Sequence, residues 1–154
     1  MNTNTPWTEW LWRFLRVFLG AVFLYASIDK IIYPDRFAFA ISNYRILPGD
    51  LVNFVAVWLP WLEVTVGVFL IFGLFEWASL TLYNMVMLIF LAAIAINLAR
   101  GVNISCGCFS LDPNAEKMSW LTFMRDLGLL VPGLGAYILL VRRRPPPFLE
   151  KPSR

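Results

Sequence analysis

The sequence predicts an all-α integral membrane protein, a bundle of four transmembrane helices with both termini cytoplasmic. Three observations predict it. Hydrophobic residues fill 59% of 154 positions and charged residues only 15%, where a soluble domain carries roughly 25% charged residues. The apolar residues gather into four runs, each close to the ~20 residues that cross ~30 Å of hydrocarbon at ~1.5 Å per residue. The last run is followed at once by Arg142, Arg143 and Arg144, where a cytoplasmic stop signal belongs. The length suits one domain, so residues 1–154 read as a single membrane domain.

The first span covers about residues 11–33 and stops before Pro34. Arg13 and Arg16 give it a basic start, as in a signal peptide. Its apolar part is too long for one, and no small-residue cleavage site precedes Lys30, so it reads as a retained helix. The second span covers about residues 51–73, the third 77–99, halted by Arg100-Gly101, and the fourth 120–141. A short basic tail, 142–154, contains Pro145-Pro146-Pro147 and reads as an extended, exposed end.

Four spans put the termini on one side. Taken as cytoplasmic, that side carries Arg13, Arg16, Arg142, Arg143, Arg144, Lys151 and Arg154, against Lys30, Arg36, Arg45, Arg100, Lys117 and Arg125 opposite. Arg125 falls within a span, and the arginine triplet abuts its helix, which favours this orientation. Trp7, Trp10, Trp12 and Trp77 then mark the inner interface and Trp120 the outer one. The expected location is the bacterial inner membrane, with residues 35–50 and 101–119 facing outward. The turn Leu74-Phe75-Glu76 is too short to hold a site.

Composition also excludes. There is no histidine, the usual haem ligand and commonest imidazole metal ligand. Two cysteines cannot complete a tetrahedral zinc site, so no metal is expected. The basic tail adjoins a span, which argues for a membrane signal rather than nucleic-acid binding.

Cys106 and Cys108 flank Gly107 in Asn103-Ile-Ser-Cys-Gly-Cys-Phe109 and are the only cysteines. An outward-facing segment permits a disulfide. A bridge over so short a ring is strained and therefore easily reduced, and Gly107 can supply the backbone angles it needs. Such a bridge staples almost no loop entropy, which speaks for redox exchange over a structural role. Incidental thiols or intermolecular bridges are the bland alternative. With no cysteine on the inner side, electrons must leave to a periplasmic partner or to a carrier in the membrane such as quinone.

Charges inside the spans are the other candidates. Glu63 lies mid-way along the second span, three residues after Pro60, where a kink is expected. A carboxylate there must find a partner or a proton. Arg125 and Asp126 open the fourth span. Adjacent helical residues point ~100° apart, so each is expected to meet a different helix, with Arg125 pairing Glu63. Asp29 and Lys30 repeat the acid–base adjacency and can reach the interface. These groups either fix helix packing or handle protons beneath a redox pair.

Several segments resemble the MauE family of methylamine-utilisation membrane proteins and, more widely, DoxX-like membrane proteins. They are Ser27-Ile-Asp-Lys-Ile31, Asn43-Tyr-Arg-Ile-Leu-Pro48, Leu59-Pro-Trp-Leu-Glu-Val64, Asn97-Leu-Ala-Arg-Gly101, Cys106-Gly-Cys-Phe109 and Arg125-Asp126. The resemblance runs from Phe14 to Tyr137. It implies a four-helix inner-membrane protein tied to redox maturation, with Cys106 and Cys108 matching the cysteine motif and Glu63 and Arg125 matching polar positions in the spans. MauE proteins are associated with processing the disulfide-rich small subunit of methylamine dehydrogenase, and DoxX-like proteins with sulfur-compound oxidation and quinone reduction.

The expectation is therefore a thiol–disulfide oxidoreductase that matures an exported or periplasmic redox protein through Cys106 and Cys108, with quinone as the candidate cofactor. Glu63, Arg125, Asp126, Asp29 and Lys30 are the supporting polar residues. The alternative is a non-catalytic anchor or assembly subunit with structural cysteines. A transporter built around Glu63 and Arg125 would need an oligomer, since four helices enclose little pathway.

Overall fold

A computed structural model describes residues 6–101 and 120–143. They form five α-helices: α1 (Pro6–Ile32), α2 (Pro34–Asn43), α3 (Gly49–Phe72), α4 (Glu76–Ala99) and α5 (Trp120–Arg143). The chain is all-helical over these residues. Four long helices make the bundle, and α2 is an addition to it. Cys106 and Cys108 lie outside the described residues.

Helix α1 buries one stripe, Trp12, Leu19, Phe23, Ala26 and Lys30, and leaves Trp7, Trp10, Phe14 and Tyr25 exposed. That is the spacing of a single helical face. Glu9 in its first turn and Lys30 in its last complement the helix dipole. Its backbone meets α3 at Gly20 and Gly67. A Cβ on Gly20 would lie 2.7 Å from the Gly67 carbonyl oxygen, and one on Gly67 would lie 2.9 Å from that of Gly20. Small residues at a membrane crossing allow this approach.

The residues after Tyr33 fold into α2 rather than an irregular outer segment. Pro34 closes the first span and also starts the next helix, because its fixed φ and missing N–H suit a first turn, with Asp35 alongside. Phe37 and Ala40 face inward. Pro60 is buried within α3, which continues helically through it to Phe72.

The α3–α4 turn is as short as expected. Gly73 is left-handed at φ 73°, and the Leu74 N–H donates to the Phe69 carbonyl over 2.9 Å, which ties up a free helix-end acceptor. Helix α4 packs on α5 through Gly133, where a Cβ would meet the Tyr83 ring at 2.7 Å and Asn84 Oδ1 at 2.8 Å. The Tyr83 hydroxyl donates to the Leu129 carbonyl over 3.2 Å. Asn84 Nδ2 donates to the carbonyls of Leu80 and Gly133 over 2.8 and 3.3 Å.

The core between the long helices holds Leu19, Leu70, Leu80, Tyr83, Ala136 and Leu140. Phe54, Trp58, Trp61, Ile89, Val131 and Ile138 point outward, as they do where hydrocarbon is the solvent. Three helices, α3, α4 and α5, are long and apolar enough to cross a membrane. Helix α1 is long enough, but Arg13, Arg16, Asp29 and Lys30 confine its uncharged stretch to residues 17–28. Trp12, expected as an interface anchor, is 5% exposed and packs against the bundle, with the Arg143 guanidinium 5.9 Å from its ring centre.

Candidate functional site

Polar residues gather at two levels of the bundle. Near the end formed by α2 and the start of α5, Lys30 of α1 turns inward and meets Glu63 of α3. Its Nζ donates to both carboxylate oxygens, over 2.7 and 2.8 Å. Both side chains are 2% exposed. The ammonium also faces two rings, 5.3 Å from the centre of Phe37 and 5.0 Å from that of Phe90. Phe37 belongs to α2, so the added helix forms part of the wall around the pair. Cation–π contact and a bidentate acceptor together replace the water that a buried ammonium loses.

Across a cavity of about 20 Å³, lined also by Phe23, Met87 and Phe90, stands Asp126 of α5. The space suffices for one water molecule. Arg125 folds back on its neighbour, with Nε and an Nη both 2.9 Å from Asp126 Oδ1. Arg125 is 46% exposed while Asp126 is 2% exposed, so the arginine reaches in from the rim. Beside this centre, burial pushes the Tyr44 phenol well above its usual range, and the negative charge of Asp126 adds to the shift.

The arrangement corrects three expectations. Glu63 pairs with Lys30, not with Arg125. Arg125 and Asp126, expected to diverge, bond to each other, because the long guanidinium side chain spans the angle between adjacent positions. Lys30 does not reach up to the interface but is buried. Asp29, half-buried in the last turn of α1, joins none of the ion pairs among the described residues. Asn84 and Asn97, buried amides in the apolar run of α4, were missed. A lone amide in such a run is itself the signal, since it must bond within the bundle.

At the opposite end the sequence predicts a basic, tryptophan-rich face but none of its ion pairs. There Arg16 Nη1 meets Glu76 Oε1 and Arg143 meets Glu9, both at 2.9 Å. These residues, with Arg13, Trp12 and Leu140, line a cavity of about 510 Å³. No single loop builds it, since three helix ends contribute.

Fold and polar centre define a multi-pass helical membrane protein with paired charges inside its bundle. Comparison with known proteins places it more narrowly. The sequence profile of methylamine utilisation protein MauE matches residues 8–140. The chain is 36% identical over 137 residues to methylamine utilization protein MauE of Methylorubrum extorquens, covering 88% of this chain and 73% of that relative. It is 35% identical over 120 residues to the protein of that name from Paracoccus denitrificans, covering 77% and 63% respectively. The protein of that name from Methylophilus methylotrophus is 30% identical over 129 residues, covering 83% and 67%. The chain belongs to the MauE family. No solved structure matches it.

Proposed function

We propose that the chain is a four-span inner-membrane protein of methylamine utilisation, and that its Cys106–Cys108 pair exchanges disulfides with an exported partner during that partner's maturation. Membership of the MauE family carries this reading. Two features support it. The only cysteines of the chain fall between α4 and α5, whose adjoining ends flank the Lys30–Glu63 and Arg125–Asp126 centre. Helix α1 can serve as the remaining span because a charge toward each end of its uncharged stretch is matched by a neighbour, Arg16 by Glu76 and Lys30 by Glu63. A paired charge costs far less in hydrocarbon than a bare one.

In the exchange, a partner thiolate attacks one sulfur of the oxidised pair and forms a mixed disulfide. The second partner thiolate resolves it, so the partner gains a disulfide and Cys106 and Cys108 become thiols. Returning Cys106 and Cys108 to the disulfide would release two electrons and two protons, and a membrane quinone, as in the DoxX-like resemblance, would be the acceptor. Cys106→Ser and Cys108→Ser each leave one thiolate that can attack a disulfide of the oxidised partner, releasing a partner thiolate, but no second thiol to complete the exchange. Each is therefore expected to trap a covalent complex that dithiothreitol dissolves, read by non-reducing electrophoresis of membranes. The double substitution is expected to abolish it. If neither single variant traps a partner and the native pair never changes redox state, the exchange reading fails and an anchoring subunit takes its place.

A further inference from the structure

The cavity at the far end from α2 has a composition that neither packing nor thiol exchange accounts for. Three guanidiniums, Arg13, Arg16 and Arg143, converge on it with two carboxylates, Glu9 and Glu76. Glu76 engages Arg16 and Glu9 engages Arg143, which leaves one positive charge over. Arg13 is exposed and makes no ion pair among the described residues. Arg16 is under-satisfied as well. One Nη reaches the Ile71 carbonyl over a long 3.4 Å, and its buried Nε–H has no acceptor among the described residues. Gly73 makes room for this guanidinium, since a Cβ there would collide with it.

The depth of the cavity narrows the ligand. Glu76 begins α4 and Arg143 ends α5, both helices long and apolar enough to span a membrane. The cavity therefore opens at headgroup level, where the 82% and 71% exposed Trp7 and Trp10 also sit. From Arg13 toward the bundle's middle, α1 shows exposed Phe14, Val17 and Phe18, with the two phenylalanine rings stacked at 6.2 Å.

We infer that this cavity binds the phosphodiester of an anionic phospholipid, with Arg13 as the guanidinium free to grip it and the Phe14–Val17–Phe18 strip receiving an acyl chain. Planar guanidinium donors match phosphate oxygens, and basic pockets between membrane helices take anionic headgroups.

The test uses the full chain in a zwitterionic detergent, titrated with dioleoylphosphatidylglycerol, dioleoylphosphatidylcholine or inorganic phosphate. Bound lipid is counted by native mass spectrometry, and stability is followed by melting. Phosphatidylglycerol is expected to bind in preference to phosphatidylcholine. Arg13→Gln is expected to weaken it about fivefold, whereas Arg142→Gln, exposed and outside the cavity, leaves it unchanged. Both variants carry the same net charge, so equal losses would mean diffuse surface attraction and overturn the site. Equal binding of the two lipids would overturn it too. Stabilisation by inorganic phosphate as strong as by phosphatidylglycerol would overturn the lipid and assign the cavity to a free anion.

Discussion

The two ends of the bundle carry the same kinds of charged residue in opposite settings. At one end Lys30 and Glu63 are each 2% exposed and enclosed by rings and a cavity of about 20 Å³. At the other, Arg16 and Glu76 are each 18% exposed, and Arg143 pairs with a Glu9 that is 45% exposed, around a cavity of about 510 Å³. Neither member of the enclosed pair is open to exchange with bulk solvent, because both are buried. The open pairs can exchange carboxylate for water, headgroup or salt. Enclosure thus makes one end an obligate joint between α1 and α3, and openness leaves the other free to bind.

The largest effect should come from splitting the enclosed pair. Lys30→Met leaves Glu63 buried alone and is expected to cost about 3–5 kcal/mol, with a much smaller loss when Glu63→Met is added. Unfolding of the detergent-solubilised protein measures this. Additive losses from the two changes would mean that the pair is not the joint.

An intermediate effect should come from the crossing that brings Lys30 to Glu63. Gly67→Ala sets a Cβ against the Gly20 backbone and is expected to cost about 1–3 kcal/mol, as overpacking does. A neutral result in the same unfolding assay would show that α1 and α3 can part without loss.

The smallest effect belongs to the open end. Glu76→Gln should cost about 1 kcal/mol or less and Glu9→Gln about half that, both fading as salt rises. Losses comparable to Lys30→Met, insensitive to salt, would erase the contrast between the ends.

Much of the fold was legible in the residues because apolar runs of bilayer length have few other uses. The last three runs were read to within a few residues of α3, α4 and α5. Helix α2 escaped because Pro34 is equally a stop and a start, and ten residues with little apolar character give a weak period. The polar centre was legible as a list. Glu63, Lys30, Arg125 and Asp126 were all named, because charges within apolar runs announce themselves. Their pairing was not. The angle between adjacent helical positions sent Arg125 to another helix and so to Glu63, but partner choice depends on how α1 crosses α3, where Gly20 and Gly67 meet. The arginine-lined cavity was invisible for the same reason: Glu9 and Arg16 lie on α1, Glu76 on α4 and Arg143 on α5, and no motif joins them.

By itself the sequence determined that this is a multi-pass helical membrane protein of the MauE family, because hydropathy and motif are properties of contiguous residues. It determined too that Cys106 and Cys108 are the only cysteines in the sequence. Only the tertiary structure decided that Lys30 is Glu63's partner, that Arg125 turns back on Asp126, and that three helix ends assemble an arginine-lined cavity. Charge pairing in a low-dielectric interior is set by separations of a few ångströms between different helices, and no contiguous stretch of sequence encodes a distance of that kind.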